Sequence, residues 1–403
     1  MPIVVQKFGG SSVADVAKLR KVARKVADRR AAGDQVVVVV SAMGDTTDEL
    51  LALAKGVHPD PPRRELDMLL TCGERISMAL LSMALQQIDV PAVSFTGSQS
   101  GIITTGAHSQ ARIVEVRPYR IQDGLSAGKV VIVAGYQGVS LEREVTTLGR
   151  GGSDTTAVAL AAALGGDCEI YSDVDGIYSA DPRTVVDAHK LESISYEEMQ
   201  ELACAGAKVL NAQAVEFARA SGIAIHARTA HGEGSGTVIG PGQPSAASRI
   251  KGVTADAEVA ILHARVTGPA LDELLEFLDA RALNTRTLSF DGLDGRGGLY
   301  LALPLQDVHG LSVLQGELVE RFGDRVHLEE TLGTVTCVGV GVGTTLGPLR
   351  QALAVAESVQ ASVRAVHTSA LQLSLVVSRE HLPELTRALH GTFLGTQTRV
   401  SHS

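Results

Sequence analysis

Two glycine-rich loops, each carrying a cation, hold the residues of this chain whose types and spacing could do chemistry. In the first, a short apolar run delivers Lys7 to Gly9–Ser12 at the start of a helical pattern. In the second, Gly149–Thr156 places Arg150 among glycines ahead of an alanine-rich helical pattern. Backbone N–H groups, a helix N-terminus and a cation together attract phosphates and carboxylates. The sequence therefore predicts two anion-binding loops.

Each loop also has an ordinary interpretation. Gly151-Gly152-Ser153 can be a tight turn with Ser153 as a helix N-cap, and Lys7 can be a solvated charge at a strand end. The first loop is not a P-loop, because Gly-x-x-x-x-Gly-Lys-Ser/Thr does not occur in the chain. The second lacks the closing glycine of a hydrolase nucleophile elbow. From these residues alone, both interpretations stay open.

The elements that must position the loops alternate between strand and helix up to about residue 240. Strands are predicted at 36–40, 90–95, 129–134, 168–172 and 223–227, and helices at 13–30, 74–87, 153–164 and 196–221. Ser195 and Glu198 have capping-box spacing at the start of the last helix, and Gly222 ends it. This α/β alternation predicts a mostly parallel sheet covered by helices on both faces. Ser41 falls beyond the carboxyl end of a strand, where ligands of such sheets bind.

A loose internal repeat follows a Gly/Pro-rich linker at 241–250. Each copy runs from a strand through Gly-Pro, at Gly268 and at Gly347, into a helix and a second strand. The sequence thus predicts a domain at 1–240 and two small α+β modules at 251–330 and 331–403. The glycines between Gly339 and Gly347 do not have Gly-x-Gly-x-x-Gly spacing, and no acid ends the next strand, which argues against dinucleotide binding.

Composition excludes several classes of function. A chain of 403 residues has room for two or three domains at ~150 residues each. A net charge of −9 and the absence of Trp disfavour nucleic acid as a partner. The apolar runs are too short to span a bilayer, no signal peptide is present, and the four cysteines are far apart. We expect a soluble cytoplasmic protein with no membrane partner.

Six motifs in order make the chain resemble the aspartokinases of the amino acid kinase superfamily along nearly its whole length. They are Lys7–Ser12, Val40–Asp48, Gly73–Ser77, Gly149–Thr156, Tyr171–Arg183 and Gly206–Leu210. The resemblance implies an αβα sandwich kinase domain followed by two ferredoxin-like ACT domains. It also implies transfer of the ATP γ-phosphate to the β-carboxylate of L-aspartate, giving 4-phospho-L-aspartate, the first step of lysine, threonine and methionine biosynthesis.

The resemblance places particular residues in the site, and their chemistry fits those places. The catalytic pair is Lys7 and Asp154. The nucleotide-binding residues are Lys7, Gly9, Gly10, Ser11, Ser41, Ser172, Asp173, Tyr178, Arg183 and Lys208. The substrate-binding residues are Ser41, Thr47, Glu74, Arg150, Gly151, Gly152 and Ser153. Mg²⁺ is expected with ATP, held mainly by nucleotide oxygens and water rather than by a dedicated protein site.

Ordinary roles remain open for several of these residues. Asp154 and Glu74 can each be a first-turn acid that complements a helix dipole. Lys208 can be a solvated lysine in a helix spanning 202–215, and Asp173–Gly176 can be a turn. That segment does not fit an EF-hand, since Thr184 stands where the closing Glu belongs. A sister kinase acting on glutamate, N-acetylglutamate or UMP, or a non-catalytic amino-acid sensor, remains an alternative.

The resemblance also raises the question of effectors and subunits. The candidate effector-binding residues are Gly268, Asn284, Ser362 and Val363. Arginines at 265, 286 and 364 stand at or beside the places where related enzymes carry acids, so we predict a weak or altered response to lysine and threonine. The last methionine is Met199, so a separate tail subunit would need another start codon. We therefore expect a homodimer or larger homo-oligomer.

Overall fold

The computed structural model describes residues 1–149, 151–207, 209–230, 232, 234–242, 249–281, 283, 285–291, 298–305, 308 and 310–395. Three candidate residues, Arg150, Lys208 and Asn284, lie outside them. The chain folds as two compact units. The first comprises Met1–Ile177, Lys190–Gln200 and Lys208–Gln243, and the second comprises Tyr178–His189, Glu201–Ala207 and Pro244–Ser403.

The first unit contains twelve strands in its described part. They are β1 (Ile3–Phe8), β2 (Gln35–Val40), β3 (Ala92–Phe95), β4 (Ile102–Thr104), β5 (Ile113–Val116), β6 (Val130–Ala134), β7 (Gln137–Ser140), β8 (Val145–Thr147), β9 (Asp167–Ser172), β10 (Ser193–Ser195), β11 (Ile225–Thr229) and β12 (Thr237–Gly240). Eight form a sheet in the order β10-β12-β11-β9-β1-β2-β6-β3, in which only the β11–β12 pair is antiparallel. A smaller sheet has the order β5-β4-β7-β8. The predicted α/β class with a mostly parallel sheet is confirmed.

Helices cover the large sheet. They are α1 (Val16–Ala31), α2 (Thr46–Val57), α3 (Arg63–Gln86), α4 (Tyr119–Ser126), α5 (Gly152–Leu164), α6 (Tyr196–Cys204) and α7 (Ala212–Ser221). The central strands β2 and β6 are almost entirely buried, as expected of parallel strands packed on both faces. One core cluster joins Leu19, Val22 and Val26 of α1 to Val38 of β2 and Leu81 of α3.

Two predicted helix starts were wrong. The helix placed at 13–30 begins at Val16, after a short 3₁₀ turn, because Asp15 caps it by accepting a hydrogen bond from Lys18 N at 2.8 Å. Val16, in the first turn of this helix, faces solvent. The helix placed at 74–87 begins eleven residues earlier, at Arg63 directly after Pro62.

The single helix predicted at 196–221 is two helices. The predicted capping box at the start of α6 is confirmed, since Glu198 N donates to Ser195 Oγ at 3.1 Å and Ser195 N donates to Glu198 Oε2 at 3.2 Å. The chain then leaves the helix, with Gly206 at φ +105°, and Asn211 caps α7 with its side chain. Gly222 ends α7 in the left-handed conformation, as predicted.

Helix α3 is, in the part of the chain that the structure describes, the one helix whose length and composition would suit a membrane span. Met78, Leu81 and Leu85 of this helix instead pack into the core of the large sheet. The same helix buries two carboxylates, those of Asp67 and Glu74. These features identify α3 as a core helix.

The second unit contains two antiparallel sheets. Its strands are β13 (Arg249–Asp256), β14 (Val259–Ala264), β15 (Thr287–Asp291), β16 (Gly298–Pro304), β17 (Val326–Glu329), β18 (Leu332–Val340), β19 (Ala365–Thr368) and β20 (Gln372–Ser378). Its helices are α8 (Pro269–Asp279), α9 (Leu311–Phe322), α10 (Leu346–Ser358) and α11 (Leu382–Leu394). The orders β15-β16-β14-β17 and β13-β18-β20-β19, with two helices per module, are ferredoxin-like.

Strand β13 does not join the sheet of the first module, although the predicted module boundary at 251 places most of the strand there. This strand precedes the first module in sequence, yet it pairs antiparallel with β18 of the second module over Arg249–Asp256. It thereby fills the edge position that a fourth strand after α11 would occupy. The glycines near 343 serve a tight turn, since a Cβ at Gly343 would lie 1.9 Å from the carbonyl oxygen of Ser369.

Candidate active site

Loops that carry described site residues of the first unit lie at the carboxyl edge of the large sheet. Strands β9, β1, β2 and β6 are consecutive neighbours in that sheet. The loops after them begin at Gly9, Ser41, Gly135 and Asp173. Two of these loops bond directly to neighbouring strands, because Gly9 N donates to Tyr171 O of β9 at 3.3 Å and Gly135 N donates to Val40 O of β2 at 3.0 Å. The parallel topology thus assembles four distant segments.

Lys7 and Asp154 form an ion pair at this edge. Lys7 Nζ lies 2.6 Å from Asp154 Oδ1, and both side chains are largely buried. Asp154 Oδ2 also accepts a hydrogen bond from Asn211 N at 3.3 Å. Asp154 does lie in the first turn of α5, as its ordinary interpretation requires, but its carboxylate is directed at Lys7. The pair therefore holds an ammonium at a fixed place beside the first glycine loop.

The first glycine loop has no room for a side chain at Gly10. A Cβ at Gly10 would lie 2.8 Å from Ala42 O, and a Cβ at Gly9 would lie 3.6 Å from Lys7 Nζ. Gly44 N donates to Gly10 O at 3.1 Å, which joins this loop to the one after β2. Small residues at these positions let the two loops and the Lys7 ammonium share one small volume.

Glu74 is buried in the middle of α3 and faces the loop after β2. Its Oε1 accepts a hydrogen bond from Ala42 N at 3.1 Å, while Oε2 has no partner among the described residues. Burial raises the pKa of Glu74 to about 7, and the hydrogen bond from Ala42 N lowers it only in part. The first-turn interpretation of Glu74 was wrong, because eleven helical residues precede it. A buried carboxylate with one unbonded oxygen is suited to receive an ammonium ion.

The second glycine loop ends at the N-terminus of α5. Gly151 is the N-cap, with φ +70°, so the expectation that Ser153 caps the helix was wrong. A Cβ at Gly151 would lie 2.4 Å from Asn211 Nδ2, which leaves room for no other residue. Ser153 instead lies in the first turn of α5, where its Oγ would be 2.7 Å from a Cβ at Gly135. The loop therefore presents backbone and the Ser153 hydroxyl beside the end of β6.

Four further predicted residues of the same unit lie in a loop, at the end of a strand or in the first turn of a helix. Ser11 is exposed in the 3₁₀ turn after Gly9, and Thr47 is half-buried in the first turn of α2. Ser77 Oγ donates to Ser41 O at 2.8 Å, so α3 holds Ser41. The hydroxyl of Ser172 makes a local turn, donating to Val174 O at 3.1 Å.

The segment 173–176 bends as a turn, as its ordinary interpretation proposed. Asp173 is exposed, and Asp175 forms an ion pair with Lys190 at 3.0 Å. Within the described residues, no three His, Cys, Asp or Glu side chains group as metal ligands would.

Tyr178 and Arg183 belong to the second compact unit. The Arg183 side chain is exposed and forms a two-point contact with Asp181, with Nη2 at 2.7 Å from Oδ2 and Nε at 3.0 Å from Oδ1. Arg150 and Lys208 lie outside the described residues. The nucleotide and substrate roles of these four residues stay predictions.

Sequence reasoning missed Tyr136 and Asn211. Tyr136 has φ +68°, a left-handed conformation that non-glycine residues adopt at a cost, directly beyond β6. Its N–H donates to Thr156 Oγ1 at 3.2 Å and its carbonyl accepts from Leu148 N at 2.9 Å, so it holds the second glycine loop from two sides. The sequence signal that could have identified Tyr136 was its position directly after a buried strand. Asn211 gave none, since its contact with Asp154 depends on the tertiary fold.

A lysine–carboxylate pair among glycine loops, at the carboxyl edge of a parallel sheet, defines a phosphoryl-transfer site that acts by charge neutralisation and positioning. A sequence model of the amino acid kinase family matches residues 2–228. Among curated relatives, the aspartokinase of Corynebacterium glutamicum is 43% identical over 98% of this chain and 96% of its own length.

Solved structures agree in fold. Aspartokinase III of E. coli in complex with aspartate and ADP gives a TM-score of 0.84 at 24% identity, covering 96% of this chain and 99% of that one. The same enzyme in complex with lysine and aspartate gives 0.75 at 24% identity, covering 97% and 99%. The chain belongs to the amino acid kinase family and, within it, to the aspartokinases. It is an aspartate kinase.

Proposed function

We propose that this enzyme transfers the γ-phosphate of ATP to the β-carboxylate of L-aspartate through the Lys7–Asp154 pair and Glu74. The observation that carries the proposal is the 2.6 Å ion pair of Lys7 and Asp154 beside the first glycine loop. Lys7 neutralises charge on the transferring phosphoryl group. Asp154 holds the ammonium in place and lowers the mobility of a long side chain.

Aspartate presents two carboxylates and one ammonium, and the site has groups for each. Glu74 Oε2, buried and without a hydrogen bond among the described residues, receives the ammonium. Arg150 pairs with a carboxylate, assisted by Thr47 and by the N-terminal residues of α5. UMP carries no ammonium and would leave Glu74 unpaired, which is why we favour aspartate over UMP.

The reaction needs no general base. A β-carboxylate oxygen, already ionised at neutral pH, forms a bond to the γ-phosphorus while the bond from that phosphorus to the β–γ bridging oxygen breaks. The electron pair leaves with ADP, and the product is 4-phospho-L-aspartate. Mg²⁺ enters with ATP, where it shields phosphate charge.

The decisive experiment measures ADP release from ATP with aspartate, glutamate, N-acetylglutamate or UMP as the second substrate. We expect aspartate to give the highest kcat/KM, with hydroxylamine trapping the acyl phosphate. Preference for another acceptor would indicate a sister kinase. No ADP release with any of the four would favour a non-catalytic amino-acid sensor.

An amino-acid effector at the ferredoxin-like modules is a separate proposal. The E. coli relative has been solved with lysine bound. In the second module of this chain, an open cavity of about 340 Å³ is lined by Glu357, Gln360, Ser362 and Val363 among others. Gly268 precedes α8 in the first module with φ +56°, while Asn284 lies outside the described residues. These features support retention of a small-molecule site.

The altered arginines support a weak response to lysine. Arg265 and Arg364 are exposed, and Arg286 is half-buried and bonds to Asp256. Cations near the site repel an effector ammonium.

We further propose a homodimer or larger homo-oligomer joined through sheet edges of the second unit. The proposed location is the cytoplasm, which agrees with the absence of a disulfide among the described residues.

A further inference from the structure

Asp67 is a fully buried carboxylate that the proposed reaction does not use. Its side chain accepts six hydrogen bonds. The donors are Ser109 N to Oδ1 at 3.0 Å and to Oδ2 at 3.1 Å, Ser109 Oγ at 3.3 Å, Thr147 N at 3.2 Å, Thr147 Oγ1 at 2.7 Å and His108 Nδ1 at 2.9 Å. His108 Nδ1 donates to Asp67 in the tautomer that carries a proton on that nitrogen.

These bonds join three elements that are distant in sequence. Asp67 lies on α3, His108 and Ser109 lie in the loop after β4, and Thr147 is the last residue of β8. Ser109 has φ +67°, a conformation that costs a non-glycine residue free energy and that the carboxylate holds in place through its N–H. The cluster therefore fixes the loop after β4 in one geometry.

Thr147 leads directly into the second glycine loop. Its N–H and hydroxyl both bond to Asp67, and its carbonyl accepts from Ala111 N at 2.9 Å. A Cβ at Gly149 would lie 3.4 Å from Ser109 O, so the loop after β4 also packs against the glycine loop. All polar groups of Thr147 are thus anchored immediately before the segment that binds substrate.

Helix α3 links this cluster to Glu74, the residue proposed to bind the aspartate ammonium. Asp67 and Glu74 are seven residues apart, about two helical turns, and therefore lie on the same face of α3. Both are buried. One rigid helix thus holds the loop after β2 through Glu74 and the approach to the second glycine loop through Asp67.

We propose that Asp67, with Ser109 and Thr147, is a positioning group that sets the geometry of the aspartate-binding loop at Leu148, Gly149 and Gly151–Ser153. The inference rests on the proposed function, since it assigns that loop to aspartate. Asp67 touches no substrate and acts through Thr147. Loss of the cluster should therefore weaken aspartate binding while ATP binding, which depends on the loop at 9–12, is preserved.

The test uses Thr147→Val, which keeps the side-chain shape and removes the hydroxyl, beside Thr147→Ser, which keeps the hydroxyl. We expect Thr147→Val to raise the aspartate KM about tenfold, the effect of losing one hydrogen bond to a charged group. The ATP KM should stay within about twofold by the same reasoning, and Thr147→Ser should restore most of the loss. Asp67→Asn should give a larger effect in the same direction.

Glu198→Gln is the matched control, because Glu198 is also a buried, hydrogen-bonded carboxylate but belongs to the α6 capping box. Hydrogen exchange of the amides at 148–152 should accelerate in Thr147→Val and not in Glu198→Gln. An unchanged aspartate KM and unchanged exchange in Thr147→Val would overturn the inference, even if its melting temperature falls. Wild-type protein without aspartate-dependent ADP release would instead overturn the proposed function, and the exchange result would still decide the inference.

Discussion

Replacing Glu74 by Gln should stabilise the folded protein at alkaline pH. The pKa of Glu74 is raised from 4.5 to about 7 by burial. Between these pH values the folded chain keeps a proton that the unfolded chain releases, so the free energy of unfolding falls as pH rises through this window. The difference of 2.5 pKa units corresponds to about 3 kcal/mol lost above pH 7. Because Gln cannot ionise, the Glu74→Gln variant does not lose this stability as pH rises.

The same change should impair aspartate binding. At pH 8 we expect the aspartate KM of Glu74→Gln to rise about 10- to 150-fold, since a charge-assisted bond contributes roughly 1.5–3 kcal/mol. The ATP KM should change little. In the wild type, aspartate affinity should fall about tenfold per pH unit below pH 7, because the ammonium binds the ionised carboxylate. In Glu74→Gln this pH dependence should disappear.

Urea unfolding of both proteins from pH 5 to pH 8 measures the first effect, and initial rates over the same range measure the second. The variant and the wild type should have similar stability at pH 5 and diverge steadily up to pH 7. Parallel stability curves would show that Glu74 is ionised throughout and would refute the electrostatic reasoning. Unaltered aspartate kinetics in a folded variant would remove Glu74 from the substrate site.

Four other predictions follow from the structure. Lys7→Ala should lower kcat on the order of 10²–10³-fold with a smaller change in the aspartate KM, and near-normal turnover would remove Lys7 from the transition state. Gly151→Ala should raise the aspartate KM, because its Cβ would meet Asn211, whereas Gly222→Ala, with a similar φ and open space, should leave that KM alone. Lysine and threonine, titrated singly and together, should inhibit weakly; strong inhibition below about 1 mM, a binding free energy near −4 kcal/mol, would show an intact effector site. Size-exclusion chromatography with light scattering should give a homo-oligomer of full-length chains, and a co-purifying short polypeptide from the native source would contradict it.

Much of this protein was determined by the sequence itself. The apolar runs at Val36–Val40 and Val130–Ala134 are strands because β-branched residues without polar interruption suit a sheet buried on both faces. The Ser195–Glu198 box and Gly222 act over a few residues, so helix ends at those points followed from local chemistry. The glycine loops and Lys7 likewise indicated an anion-binding site, because the residues that form each loop are close together in sequence.

Only the tertiary structure decided what acts across long sequence separations. The Lys7–Asp154 contact joins residues 147 positions apart, and Asn211 completes it from α7. The pKa of Glu74 depends on burial in α3, whose start at Arg63 the apolar pattern did not reveal. The place of β13 in the second module and the bonds of Asp67 are likewise invisible to periodicity. Local propensity reports on neighbours along the chain, whereas desolvation and hydrogen bonding depend on which distant segments the folded core brings together.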